Sequence, residues 1–243
     1  MKKKILITGA TSGIGFDFFK RNIQKNYEFC LIGRNFSEIN KLLINKKNKP
    51  KINKLKFDLK NNLKKINFKK IPKLDHIVLA AGINKYNLIK NFDEKVFDEV
   101  IKVNLIQTAK LLGFLIKNNK INNKASIVII SSINGYRLTF NYQYAYSISK
   151  AGLIAMTKSI ANELSSKLIR VNTVAPGMVN SPLTEKLNKD DYFKKIDKTK
   201  YLLGKRYANP SEVSEVIDFL ISSKSSFITG ETIVVDGGFT LTK

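Results

Sequence analysis

The strand-like run Lys4-Ile5-Leu6-Ile7-Thr8 passes directly into Gly9-Ala10-Thr11-Ser12-Gly13-Ile14-Gly15, and a helical pattern follows from Phe16 to Asn26. Strand, glycine turn and helix in that order leave few folds open. Gly9 can take the positive φ of a tight turn, Gly13 lets backbone approach a phosphate closely, and Gly15 permits the helix to lie against the strand. The N–H groups at the helix start, in the turn that also holds Thr11, Ser12 and Ile14, then form a pyrophosphate site. Three residues separate the first two glycines and one the next pair, a spacing unlike the commoner GxGxxG fingerprint.

The same alternation continues along the chain. A second strand, Glu28 to Gly33, ends at Arg34, and an amphipathic helix spans about Ser37 to Asn45. Where an acid would meet the ribose hydroxyls of an unphosphorylated dinucleotide, Arg34 can grip a 2′-phosphate, which favours NADP(H) over NAD(H). A third strand from Lys54 to Leu59 delivers Asp58 to its carboxyl end, within reach of an adenine edge, and Lys60 to Lys73 reads as an irregular crossover. The fourth strand, from Asp75, runs into the small residues Ala80-Ala81-Gly82, against which a ribose can lie. A long helix from Phe92 to Lys117, capped by Asp93 or Asn91, is interrupted by Asn104, whose amide either satisfies local backbone or holds a water. Strands at Ser126 to Ile130, Ile169 to Val174 and Thr232 to Val235 follow, with a helix after Asn209-Pro210-Ser211. The polar segment from Ser181 to Leu203 suits a lid over a cleft. The pattern predicts one α/β domain: a doubly wound parallel sheet of about seven strands, helices on both faces, with ligands at the carboxyl ends.

Composition narrows the function. No apolar stretch approaches the ~20 residues that span a bilayer, and the run after Met1-Lys2-Lys3-Lys4 is too short for a secretory signal, so a cytoplasmic protein without membrane insertion is expected. Cys30 has no partner for an intramolecular disulfide and reads as a buried apolar residue. His76 is the only histidine, which leaves no His-based triad and no multi-His metal site; it is read as structural. The net charge of +24 comes from lysines spread along the whole chain, with no basic helix interleaved with exposed aromatics. Nucleic acid is therefore not expected, while acidic small molecules or acidic proteins would be drawn to this surface.

Chemistry enters at Tyr146-Ser147-Ile148-Ser149-Lys150. On a helix, residues four apart share a face, so the Lys150 ammonium would sit beside the Tyr146 phenol and lower its pKa towards a range useful for proton transfer. Tyr86/Lys90 and Tyr201/Lys205 share this spacing. Only Tyr146 follows, by fourteen residues, the hydroxyl pair Ser131-Ser132 that closes the apolar run Ile127 to Ile130, and only Lys150 opens the small-residue stretch Ala151-Gly152.

Thr8-Gly9 through Gly15, Asp58, Ala81-Gly82, Asn104, Ser132, Tyr146 with Lys150, Pro176-Gly177 and Asp236-Gly237-Gly238 together resemble the ordered motifs of the short-chain dehydrogenase/reductase family over nearly the whole chain. The resemblance implies a Rossmann-type fold and reduction of a carbonyl, or its reverse, with a nicotinamide cofactor. It implies that Ser132 bonds the substrate oxygen, Tyr146 donates the proton, Lys150 binds the nicotinamide ribose, and Asn104 holds a water for the relay. It further implies that Asp58 and Leu59 contact adenine and that Val179, after Pro176-Gly177, meets the nicotinamide carboxamide through its backbone. Two departures stand out: Leu79-Ala80-Ala81-Gly82 replaces the usual Asn-Asn-Ala-Gly, and the interval from Ser132 to Tyr146 is one residue longer than usual, which affects the loop Asn134 to Asn141. Ala81-Gly82-Ile83 running into Asn87-Leu88, the string from Tyr146 to Leu153, and Phe227 to Thr232 are similar to 3-oxoacyl-(acyl-carrier-protein) reductases. That similarity implies a carrier-bound keto substrate, an acidic acyl-carrier protein that Lys158 and Lys167 could dock, and a homotetramer. The alternatives are a reductase or dehydrogenase of a sugar, nucleotide sugar or other small alcohol, and a non-catalytic NADP-binding regulatory protein.

Overall fold

The computed structural model describes residues 2–242 except 45, 47, 62, 64, 65, 87 and 188–197. The strands are β1 (Lys3–Thr8), β2 (Tyr27–Gly33), β3 (Ile52–Lys56), β4 (Leu74–Leu79), β5 (Ile121–Ile130), β6 (Arg170–Pro176) and β7 (Thr232–Val235). They form one seven-stranded sheet in the order β3-β2-β1-β4-β5-β6-β7, every neighbouring pair parallel. Around it lie α1 (Gly13–Asn22), α2 (Ser37–Ile44), α3 (Glu94–Ile101), α4 (Gln107–Lys117), α5 (Tyr144–Glu163), α6 (Pro182–Leu187) and α7 (Pro210–Ile221). The strand order reverses direction between β1 and β4, which opens a crevice outside their carboxyl ends.

Period-two alternation along β1 feeds both faces of the sheet. Leu6 joins the core built with Leu111, Leu112 and Leu153, while Ile5 and Ile7 join the opposite core with Phe18, Phe19 and Ile217. Cys30 and His76 are buried in this framework, and burial pushes the thiol up to about 12 and the imidazole down to about 4. Among the described residues no helix is long and apolar enough to cross a membrane.

Several boundaries differ from those read in the sequence. Helix α1 begins at Gly13, not Phe16, and stops at Asn22, whose side-chain N–H donates to the Phe18 carbonyl at 2.8 Å. The glycines that disguise its first turn place that turn against backbone. A Cβ on Gly15 would lie 2.5 Å from the Gly9 carbonyl oxygen, and Gly9 itself has φ +67°. Strand β3 ends at Lys56, so Asp58 stands in the following loop, where its carboxylate accepts from the Lys60 N–H at 3.0 Å. Strand β5 starts at Ile121, ahead of the expected Ser126, through a register irregularity against β4. Helix α5 ends at Glu163 instead of Ser166.

The long helix is continuous in outline but changes its winding. Between α3 and α4, residues Lys102–Ile106 form a π-helical turn, closed by the Gln107 N–H bonding to the Lys102 carbonyl. A π-bulge of this kind rotates side chains that a regular helix would leave elsewhere. Asp93 caps α3, its carboxylate accepting from the Val96 N–H. Beyond β6, the pairs Ala208 N–H to Met178 C=O (2.9 Å) and Asn180 N–H to Ala208 C=O (2.8 Å) close the base of the segment that contains α6. Residues 188–197 of the expected lid, which include Tyr192 and Phe193, lie outside the described residues.

Candidate active site

Two adjoining pockets occupy the crevice. The first is walled by the glycine turn (Gly9, Thr11, Ser12, Gly13, Ile14), by Arg34 at the end of β2, by Asp58 and Leu59 after β3, and by Ala81 and Gly82 after β4. The second is walled by Ser132, Asn134, Tyr146, Lys150, Pro176, Gly177 and Val179. Ile14, Ala80, Gly82, Ser181 and Leu183 line both, so the two form one elongated cleft. Sixteen of the eighteen residues singled out in the sequence line it; the other two are Gly15, which packs the turn from behind, and Asn104, which is buried under Gly82.

The fit of the first pocket to a dinucleotide rests on its backbone. The first bond of α1 runs from the Phe16 N–H to the Ser12 carbonyl at 3.3 Å, so the N–H groups of Gly13, Ile14 and Gly15 have no helical partner. They sit at the positive end of the helix dipole, where a pyrophosphate is held. A Cβ on Gly9 would lie 2.8 Å from the Ala81 nitrogen, which joins the ends of β1 and β4 as the floor of the cleft. Arg34 is exposed at the rim and has no partner among the described residues.

The second pocket is organised by α5. Of the three Tyr/Lys pairs in the sequence, only Tyr146/Lys150 lies on a helix, with Lys150 Nζ 5.4 Å from the Tyr146 ring centroid. Tyr201 is buried, and its hydroxyl accepts from the Met178 N–H at 3.3 Å. Tyr86 lies in the loop after β4. The neighbouring serines divide their work: the Ser131 hydroxyl donates to the Lys150 carbonyl at 2.8 Å, and Ser132 faces the pocket and accepts from the Asn134 N–H at 3.2 Å.

The electrostatics differ from those inferred from spacing. Burial pushes the Tyr146 phenol up to about 12, with the Ser132 hydroxyl working in the opposite direction, and burial pushes Lys150 down to about 8. Lys150 Nζ donates to the Ile130 carbonyl at 2.9 Å and has no carboxylate partner. An i,i+4 spacing cannot reveal that both groups are desolvated together. Because the folded pKa of Lys150 lies below the ordinary 10.5, unfolding takes up a proton between about pH 8 and 10.5, so its burial penalty is full below that window and fades as pH rises through it. In urea unfolding, the stability difference between Lys150→Met and wild type should therefore move in favour of wild type as pH rises from about 8 towards 10.5.

Asn104, fully buried in the π turn, takes the backbone option. Its Oδ1 accepts from the Ile83 N–H at 2.8 Å, and its Nδ2 donates to the Ile83 carbonyl at 2.9 Å and to the Ser149 hydroxyl at 3.0 Å. Both amide hydrogens are thereby used, so a water at this side chain would have to donate to the remaining Oδ1 lone pair. Sequence reasoning missed three other residues. Gly135 packs so closely on α5 that a Cβ would lie 2.5 Å from the Lys150 carbonyl carbon. Asn134 and Gln143, both buried, hydrogen-bond each other across the loop between Ser132 and Tyr146. A glycine and two amides in a polar loop carry no periodic signal.

A family model described as enoyl-(acyl carrier protein) reductase matches residues 9–240. The 3-oxoacyl-(acyl-carrier-protein) reductase of Buchnera aphidicola (subspecies Acyrthosiphon pisum) is 35% identical, covering 98% of this chain and 97% of that protein. The chain belongs to the short-chain dehydrogenase/reductase family. Its sheet and crevice are those of solved family members. A short-chain dehydrogenase family protein from Francisella tularensis superposes with a TM-score of 0.83 at 28% identity, covering 99% of this chain and 100% of that one. A 4-hydroxyisoleucine dehydrogenase complexed with NADH superposes with a TM-score of 0.85 at 30% identity over 100% of both chains. This short-chain dehydrogenase/reductase is an NAD(P)-dependent oxidoreductase.

Proposed function

We propose that the protein reduces a 3-oxoacyl group on an acyl-carrier protein to the 3-hydroxyacyl group, using NADPH. The observation that carries this reading is the single cleft in which the glycine turn adjoins a pocket walled by Ser132, Tyr146 and Lys150. The 35% identity to the Buchnera reductase over nearly the full chain supports the substrate class. The description of the family model names an enoyl substrate, but two hydroxyls on one pocket wall suit a carbonyl oxygen better than a carbon–carbon double bond.

When bound, the nicotinamide supplies a hydride to the carbonyl carbon. Ser132 donates a hydrogen bond to the carbonyl oxygen as negative charge develops there, and Tyr146 transfers its phenolic proton to that oxygen. Lys150 holds the nicotinamide ribose, and its ammonium offsets the phenolate that Tyr146 becomes. Asn104 acts by fixing Gly82 and Ile83 beside Lys150, since its amide hydrogens are committed. Val179 meets the carboxamide through its backbone, and Asp58 and Leu59 meet the adenine. Exposed Lys158 and Lys167 suit an acidic carrier. We also infer a homotetramer, supported by Ile106 on the π turn and Ile148 on α5, both exposed in the single chain.

The test is NADPH oxidation with an acetoacetyl thioester. Turnover is expected; no turnover together with brisk reduction of a keto-sugar would reject the carrier reading in favour of a sugar reductase. Cofactor choice is tested apart from substrate. Arg34→Ala should raise KM for NADPH by about tenfold or more, the scale of one lost charge-assisted bond to a phosphate, with little change for NADH. Equal losses for the two cofactors would remove Arg34 from the 2′-phosphate.

A further inference from the structure

The loop that carries Asp58 and Leu59 is held from behind by one side chain. Gln107 is buried at the end of the π turn, and its Nε2 donates to the Leu59 carbonyl at 3.0 Å and to the Asn61 carbonyl at 2.5 Å. Those two bonds use both amide hydrogens and bracket the first pocket's far wall from residue 59 to residue 61. Its Oε1 is buried with no partner, so the amide is placed for its donors alone. Gln107 itself does not line the pocket, whereas Val103, one turn earlier, does. Three residues before Gln107, Asn104 grips Ile83, which lines the same pocket as Leu59.

We propose that Gln107 is a positioning residue for the cofactor: by clamping the carbonyls of Leu59 and Asn61 it holds the Asp58-Leu59 wall at the spacing an adenine needs. The π turn makes this possible. Its extra residue per turn brings Asn104 and Gln107 inward from the same short segment, one to Ile83 and one to Leu59, two residues of the first pocket's wall. Without the clamp, the buried Leu59 carbonyl and the part-buried Asn61 carbonyl would lose this donor, and the loop would have to move to find water or other partners. Such movement would cost the adenine half of the cofactor and spare the nicotinamide half. The inference rests on the cleft binding a nicotinamide dinucleotide and is independent of the substrate.

The experiment compares wild type with Gln107→Met, which keeps the length and apolar stem but removes both donors. Binding is read by cofactor fluorescence with NADPH, NADH and reduced nicotinamide mononucleotide, which lacks the adenosine. The variant should bind both dinucleotides about tenfold more weakly, the scale of lost hydrogen bonds, and the mononucleotide as wild type does. With any accepted ketone, KM for the dinucleotide should rise while kcat at saturating cofactor stays within about twofold. Equal weakening of mononucleotide and dinucleotides, or unchanged dinucleotide binding, would overturn the proposal. Gln107→Glu, which retains shape but not the amide hydrogens, should reproduce the selective loss; wild-type dinucleotide affinity in that variant would also overturn it.

Discussion

Tyr146→Phe is expected to lower kcat by roughly 10²- to 10⁴-fold, the range a positioned general acid contributes, with NADPH binding retained. Phenylalanine keeps the ring that packs on α5 and removes only the hydroxyl that faces the pocket. The wild-type phenol is pushed up to about 12 by burial, so it is protonated at neutral pH and ready to give its proton to an oxygen that has become basic. A proton donor is therefore in place before any neighbouring charge lowers its pKa. Stopped-flow reduction of the accepted ketone, together with a fluorescence titration of NADPH, separates chemistry from binding. Unchanged activity in this variant would end the catalytic reading and revive a cofactor-binding protein without turnover.

Gly135→Ala should be the most damaging of the small changes outside the reacting groups. A Cβ there would lie 2.5 Å from the Lys150 carbonyl carbon and 2.7 Å from the Lys150 Cβ, against helix backbone that cannot rotate away. The loop carrying Ser132 must lift off α5, which overpacks the site at a cost of about 1–3 kcal/mol. It also moves Ser132 relative to Tyr146, and displacements near 1 Å at a reacting centre cost about 10²-fold in rate. The variant should fold with a lowered Tm and lose roughly 10²-fold in kcat. Urea unfolding and steady-state kinetics check both, and wild-type values for stability and rate would show that the loop has slack.

The contrast between these two residues shows what a sequence can carry. Tyr146 was legible because three signals coincide on it: an i,i+4 lysine, an upstream serine pair and a small-residue helix. The glycine turn was legible because a strand and a helix bracket it, and β7 was read to the residue because Gly230 and Asp236-Gly237-Gly238 bound its apolar run. The winding of the π turn was not, since its residues keep an ordinary helical pattern and only their hydrogen bonds differ. The direction of the Tyr146 shift was misread for a related reason. Spacing reports which groups are neighbours, while desolvation depends on everything packed around them. Gln107 and Gly135 act on backbone far away in the chain, a partner no local pattern can name.

The short ladder that ties residues 178 and 180 to Ala208 has an evolutionary side. It shuts the mouth of the intervening stretch with main-chain bonds, which any sequence can supply, so positions of that stretch other than the buried Tyr201 and Tyr207 can be rewritten without a strain reaching the strands. Ser181 and Leu183 belong to that stretch and touch both halves of the cleft, so one exchange there reshapes the two together while the sheet beneath keeps its form.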